Sequence, residues 1–152
     1  MISYFPVDLF TEGYKYPEGT INMDITQMEF PENKFDFILC SHVLEHVPND
    51  TLAMSELYRV LKPGGWGILQ VPIEMDREQT YEDDSITSPE ERKIAFGQFD
   101  HVRVYGRDYI KRLEYVGFAV ELDDYSIQLS AHDKFRYGFG QGESLFIVRK
   151  SK

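Results

Sequence analysis

The hydrophobic positions of this chain change period along its length, and each change marks an element. Residues 35–40, Phe-Asp-Phe-Ile-Leu-Cys, form a short apolar run broken only by Asp36. Short apolar runs bounded by turn residues suit strands buried on both faces of a parallel sheet. Beyond Pro48 the period lengthens, with Leu52, Leu57, Val60 and Leu61 at helical spacing. This predicts an amphipathic helix capped by Asn49 or Asp50. Pro63-Gly64-Gly65 is expected to stop it, because proline cannot continue a helix and glycine takes the left-handed conformations that reverse the chain. Residues 68–73 then read as a second buried strand. Further on, Tyr109, Ile110, Leu113 and Val116 form another helical stripe, ended by Gly117. The order strand, turn, helix, turn, strand predicts half of a nucleotide-binding α/β domain, with ligands at the carboxyl ends of the strands.

One stretch interrupts this rhythm. Residues 74–100 are polar and acidic, and a long insertion of this kind inside a compact domain is usually functional or disordered. Because it leaves the carboxyl edge of the sheet, it is expected to fold over the site as a lid that orders on ligand binding. The alternative is a solvated acidic loop.

Composition narrows the classes. At 152 residues the chain is expected to form a single domain over residues 1–152. It has 26 acidic against 16 basic residues, a net charge of −10, without a Lys/Arg cluster. That argues against a nucleic-acid partner or an anionic membrane surface and leaves a small-molecule substrate. The single cysteine, Cys40, lies in an apolar strand, so no intrachain disulfide forms. A reducing, cytoplasmic setting fits it. No apolar run approaches the roughly 18 residues of a membrane span, and the N-terminus lacks a signal-peptide layout.

Residues 35–73, with FD, HVLEHV and RVLKPGG in sequence, resemble the small-molecule branch of the class I S-adenosylmethionine (SAM) dependent methyltransferases. The resemblance implies an α/β fold: a three-layer, Rossmann-like sheet with helices on both faces. It implies SAM as cofactor, with Asp8 on the ribose hydroxyls, Asp24 on the adenine amino group and Ile25 against the ring. Ser41 and His42 then lie beneath the cofactor's reactive end. Residues 96–121 resemble the last helix and sixth strand of one subgroup, and residues 144–150 the seventh strand. The expected activity is methyl transfer to a small polar metabolite.

The family's first strand, with its Gly-x-Gly-x-Gly loop, precedes the segment that resembles the second strand, and Met1 falls just before that segment. The chain therefore reads as truncated, with the methionine end of the cofactor less well held. Two glycine clusters are candidate substitutes. Gly138-Phe-Gly140-Gln-Gly142 follows a polar segment and leads into a strand, and Gly64-Gly65-Trp66-Gly67 leads into a strand as well. A phosphate-type loop must instead follow a strand and open a helix. Without the first strand, the second and fourth are expected either to close on each other or to recruit a second copy. A homodimer through residues 2–10 is the favoured outcome.

Two motifs carry candidate chemistry. A hydroxyl acceptor must lose a proton as it attacks, and a histidine is suited to take it. His101 is the candidate base, with Asp100 to orient it and Arg103 and Tyr105 to contact the acceptor. The competing account makes residues 101–105 a short edge strand with Val102 and Val104 inward. His42-Val43-Leu44-Glu45-His46 also spells the H-x-x-E-H of inverted zinc proteases. That chemistry needs a helix through both histidines and a third protein ligand, and Pro48 opposes the helix; no metal is expected. Two readings of different class stay open: a methyltransferase, and a binding or assembly module that keeps the sheet without the full cofactor pocket.

Overall fold

The computed structural model describes residues 3–138 and 144–152. Its centre is a four-stranded sheet in the order β3-β4-β8-β7, formed by β3 (Phe35–Ser41), β4 (Leu61–Gln70), β7 (Ala119–Asp123) and β8 (Leu145–Arg149). β3 and β4 run parallel, and β8 is antiparallel to both of its neighbours. A β-carbon on Gly67 would lie 2.7 Å from the Ile38 carbonyl oxygen, so only glycine lets the two parallel strands approach here.

Helix α1 (Asp50–Val60) starts where its polar residues allow, with Asn49 Oδ1 accepting from the Leu52 amide at 3.0 Å. It ends at Val60, before the proline. Pro63-Gly64-Gly65 is not the expected turn but a bulge inside β4. Phe35 pairs with Leu61 and Phe37 with Trp66, so residues 62–65 loop out of register. Gly64, at φ 80°, allows this, and its amide donates to the Lys150 carbonyl at 2.8 Å.

One face of the sheet is the core. Cys40, Leu69, Phe146 and Val148 pack there against Met54 and Leu57 of α1 and against Tyr109 and Leu113 of α3 (Tyr109–Tyr115). The other face is open at Phe37, Leu39 and Trp66, of which Leu39 is 64% exposed.

The strand expected at residues 4–8 is shorter, β1 (Val7–Asp8), and pairs in parallel with β2 (Ile21–Asn22). Among the described residues this pair shares no hydrogen-bonded ladder with β3, so the second and fourth strands have not closed on each other. Side chains dock the pair instead. Phe30 lies edge-on to Phe35 at 4.9 Å, and Arg59 donates to the Met28 and Phe30 carbonyls at 2.8 Å each.

The insertion is built rather than featureless. It contains β5 (Tyr81–Glu82), antiparallel to β6 (Arg103–Val104), and α2 (Pro89–Phe96), which opens on a Ser88/Glu91 capping box. Short helices α4 (Tyr125–Gln128) and α5 (Ala131–Tyr137) precede β8. No described helix is long and apolar enough to cross a membrane.

Candidate functional site at the carboxyl edge of the sheet

Parallel strands deliver their carboxyl ends to one edge, which is where ligands of open α/β sheets bind. Asp8 is the last residue of β1, exposed, and its carbonyl accepts from the Met23 amide at 2.9 Å. Asp24 stands two residues beyond β2, and its Oδ1 accepts from the Thr26 amide at 2.8 Å and the Thr26 hydroxyl at 2.7 Å. Ile25, beside it, is partly buried against the core. Ser41 ends β3 and is exposed. His42 then turns the chain sharply: its φ is 55°, a conformation uncommon outside glycine, while its amide donates to the Gln70 carbonyl at 2.9 Å. Strain of this kind concentrates at ligand sites.

After that turn, residues Leu44–His46 form one 3-10 turn and not a longer helix, so H-x-x-E-H does not present its histidines from a helix as the protease pattern requires. Glu45 is nevertheless buried, with 2% of its side chain exposed. Its Oε1 lies 3.3 Å from His42 Nδ1 and 4.0 Å from His46 Nε2. The His46 and His101 rings meet edge to face at 4.6 Å between centroids. Asp100 does not serve His101 as expected: its Oδ2 lies 3.3 Å from Nδ1 of His46. Partial burial and the neighbouring His46 hold the His101 imidazole below the usual histidine value, so it is neutral at pH 7.

Arg103 and Tyr105, expected to contact an acceptor, are turned inward and committed to the protein. The predicted alternation of this strand is thus reversed, since Arg103 is 3% and Tyr105 0% exposed. Arg103 donates to the carbonyls of Leu44 (2.8 Å), Pro48 (2.9 Å) and Val47, and to Glu82 Oε2 at 3.0 Å. These bonds satisfy the backbone of the turn that carries Glu45 and His46. The Tyr105 hydroxyl donates to Asp50 Oδ2 at 2.8 Å, and burial pushes its phenol far above the usual value. Asp50 also accepts from Arg112 at 2.8 Å, and Arg112 donates to Glu82 at 2.7 Å. Sequence reading missed this ion cluster because Asp50 reads as a helix cap and the later helix reads only through its apolar stripe. Their only shared signal is opposite charge at positions 62 residues apart.

Cys40 is core, its thiol pushed up to about 12 by burial and the charge of Glu45. Of the glycine clusters, residues 139–143 lie outside the described residues. Gly64-Gly65-Trp66-Gly67 lies within β4, away from the carboxyl edge.

Residues 7–69 match a methyltransferase domain family. A sterol 24-C-methyltransferase of Yarrowia lipolytica is 33% identical over 135 residues, 86% of this chain but 32% of that enzyme, so the chain spans about a third of its length. A ubiquinone/menaquinone biosynthesis C-methyltransferase of Hydrogenovibrio crunogenus is 44% identical over 50 residues, 31% of this chain and 20% of that enzyme. Among solved structures, a SAM-dependent methyltransferase of Mesorhizobium loti shares the fold, with a TM-score of 0.57 at 18% identity over 95% of this chain and 78% of that one. Residues 7–69 thus belong to a methyltransferase domain family, and the chain as a whole has the fold of the class I S-adenosylmethionine-dependent methyltransferases.

Proposed function

We propose that this domain transfers a methyl group from SAM to a lipid- or quinone-like acceptor. The observation that carries the cofactor half is the placement of Asp8 and Asp24 at or just beyond the carboxyl ends of the parallel pair β1 and β2, and of Ser41 at the carboxyl end of β3. Two exposed acids suit ribose hydroxyls and an adenine amino group, and the chain turns left-handed at His42, directly after the exposed Ser41. When bound, SAM supplies an electrophilic methyl on a sulfonium. The acceptor's nucleophile forms the new bond while the electron pair of the broken carbon–sulfur bond stays on sulfur. The chain's own residues align the two partners and exclude water. Where the acceptor must lose a proton, neutral His101 is the group to take it, and Asp100 acts one residue removed, through His46.

The acceptor class rests on two supports. The relatives are named for sterol and for ubiquinone or menaquinone methylation. Arg103 and Tyr105, which a polar metabolite would have engaged, are buried in internal bonds. Incubation with methyl-labelled SAM and detergent-dispersed sterol or demethylated quinone is the test. Label appearing in the lipid fraction is the expected result, and label moving only to water-soluble acceptors overturns the acceptor class.

The gap between β1 and β3, unfilled among the described residues, favours a second reading. A non-catalytic module would transfer no label to any acceptor and would bind SAM weakly or not at all.

A further inference from the structure

Glu45, His46 and His101 each offer one ligand-type atom, and these atoms all lie within 4.8 Å of one another. Among the described residues no other such group of His, Cys, Asp or Glu occurs. A second observation is independent of that clustering. Glu45 Oε2 is sealed from solvent and has no hydrogen-bond partner, on a side chain 2% exposed. A buried carboxylate oxygen without a partner is costly, and native structures rarely leave one without a reason such as a bound ion.

We propose that these three side chains hold a divalent transition-metal ion, with zinc as the best match. Two imidazoles and one carboxylate with a fourth position open is a recurrent zinc donor set. Two nitrogen donors also disfavour magnesium and calcium, which take oxygen. The surrounding residues fit as well. Metal-binding histidines commonly donate their second ring nitrogen to a carboxylate, and Asp100 lies 3.3 Å from Nδ1 of His46, leaving Nε2 toward Glu45. The Val102 amide donates to the Glu45 carbonyl at 2.9 Å, which ties the strand carrying His101 to the turn carrying the other two. Zinc–nitrogen bonds of about 2.0 Å place neighbouring ligand atoms roughly 3.3 Å apart. His46 and His101 are only partly buried, and metal binding would draw their rings inward over that remaining distance.

This set differs from the sequence motif H-x-x-E-H. His42, the motif's first residue, is 57% exposed and lies outside the group; His101, 55 positions beyond His46, takes its place. The lone pairs that would bind the ion are those a free imidazole uses to accept a proton. Occupancy and base catalysis therefore exclude each other at His101, and zinc binding stands or falls separately from methyl transfer.

The test is calorimetric titration of chelator-stripped protein with zinc chloride, in the wild type and in variants at each of the four histidines. One equivalent is expected to bind. His46→Ala and His101→Ala should each weaken it by about 100-fold, Asp100→Asn by about 10-fold, and His132→Ala should leave it unchanged. Loss in His42→Ala with retention in His101→Ala would overturn the assignment in favour of the contiguous motif. Absence of saturable binding to the wild type would also overturn it, leaving a buried water as the partner of Glu45. Should a histidine variant fail to fold, zinc-edge X-ray absorption of the wild-type complex decides. Two imidazoles and an oxygen shell support the site, and fewer than two imidazoles contradict it.

Discussion

The Tyr105 hydroxyl donates to Asp50 Oδ2 at 2.8 Å across 55 positions of sequence, and both side chains are buried. This bond joins the start of α1 to the strand that follows the insertion, behind the turn bearing Glu45. Tyr105→Phe leaves Asp50 paired with Arg112 and should cost about 1 kcal/mol. Asp50→Ala leaves Arg112 and Arg103 to share Glu82, and removes a charged hydrogen bond as well as the Tyr105 partner, so it should cost more, about 2–3 kcal/mol. Urea unfolding of the two variants measures both; equal midpoints would show that the cluster is not held through Asp50.

Gly106 locks the insertion to the sheet. A β-carbon there would lie 2.7 Å from the backbone of Gln79, which cannot yield as a flexible side chain could. Gly106→Ala should therefore loosen residues 74–100, and limited proteolysis should cut the variant there faster than the wild type. In the wild type, SAM with an acceptor should slow the same cut if the insertion closes over the site.

The docking of the β1–β2 pair should be acid-sensitive. The hydrogen bond from Arg59 holds the Glu56 carboxyl below its usual value of 4.5, opposed by partial burial and helped by the Met28 amide. Because the unfolded chain binds the proton more readily, this contribution is fully present above about pH 4.5 and is lost as pH falls through the lowered folded value. Glu56→Gln should flatten the stability profile below that pH. A profile as steep as the wild type's would assign the acid sensitivity elsewhere.

Local chemistry made β3, α1 and α3 legible in sequence, because each carries a run or period of apolar positions, while β8 came through the family resemblance. The Asn49 cap and the Gly117 end are decided within a few residues. What sequence reading inverted was residues 103–105. There alternation fixes only which side chains share a face, and the apolar Val102 and Val104 suggest themselves as the inward ones. Three backbone carbonyls more than 50 positions away, waiting for a donor, turn that face inward. Asp100 was misassigned for the same reason: adjacency suggested His101, while the fold delivers His46.

Self-association is expected from what the sheet leaves uncovered. Tyr4 (83% exposed), Leu9 (58%) and Leu39 (64%) stand out on or near the two unpaired edges, with Trp66 on the open face. Burying such side chains against a second copy gains about 1.5–3 kcal/mol each. Sedimentation equilibrium at micromolar concentration should give a homodimer that Leu39→Glu weakens. Monomer throughout would leave these edges to solvent and contradict the dimer.

The central claim is that this edge binds SAM through Asp8 and Asp24, and calorimetric titration with SAM and with its demethylated product S-adenosylhomocysteine tests it most directly. Saturable binding of one ligand per chain is expected. Asp24→Asn should weaken it by roughly 5- to 150-fold, the equivalent of about 1–3 kcal/mol for a lost charged hydrogen bond. Absence of binding by either ligand, or binding that Asp24→Asn leaves unchanged, would contradict the account.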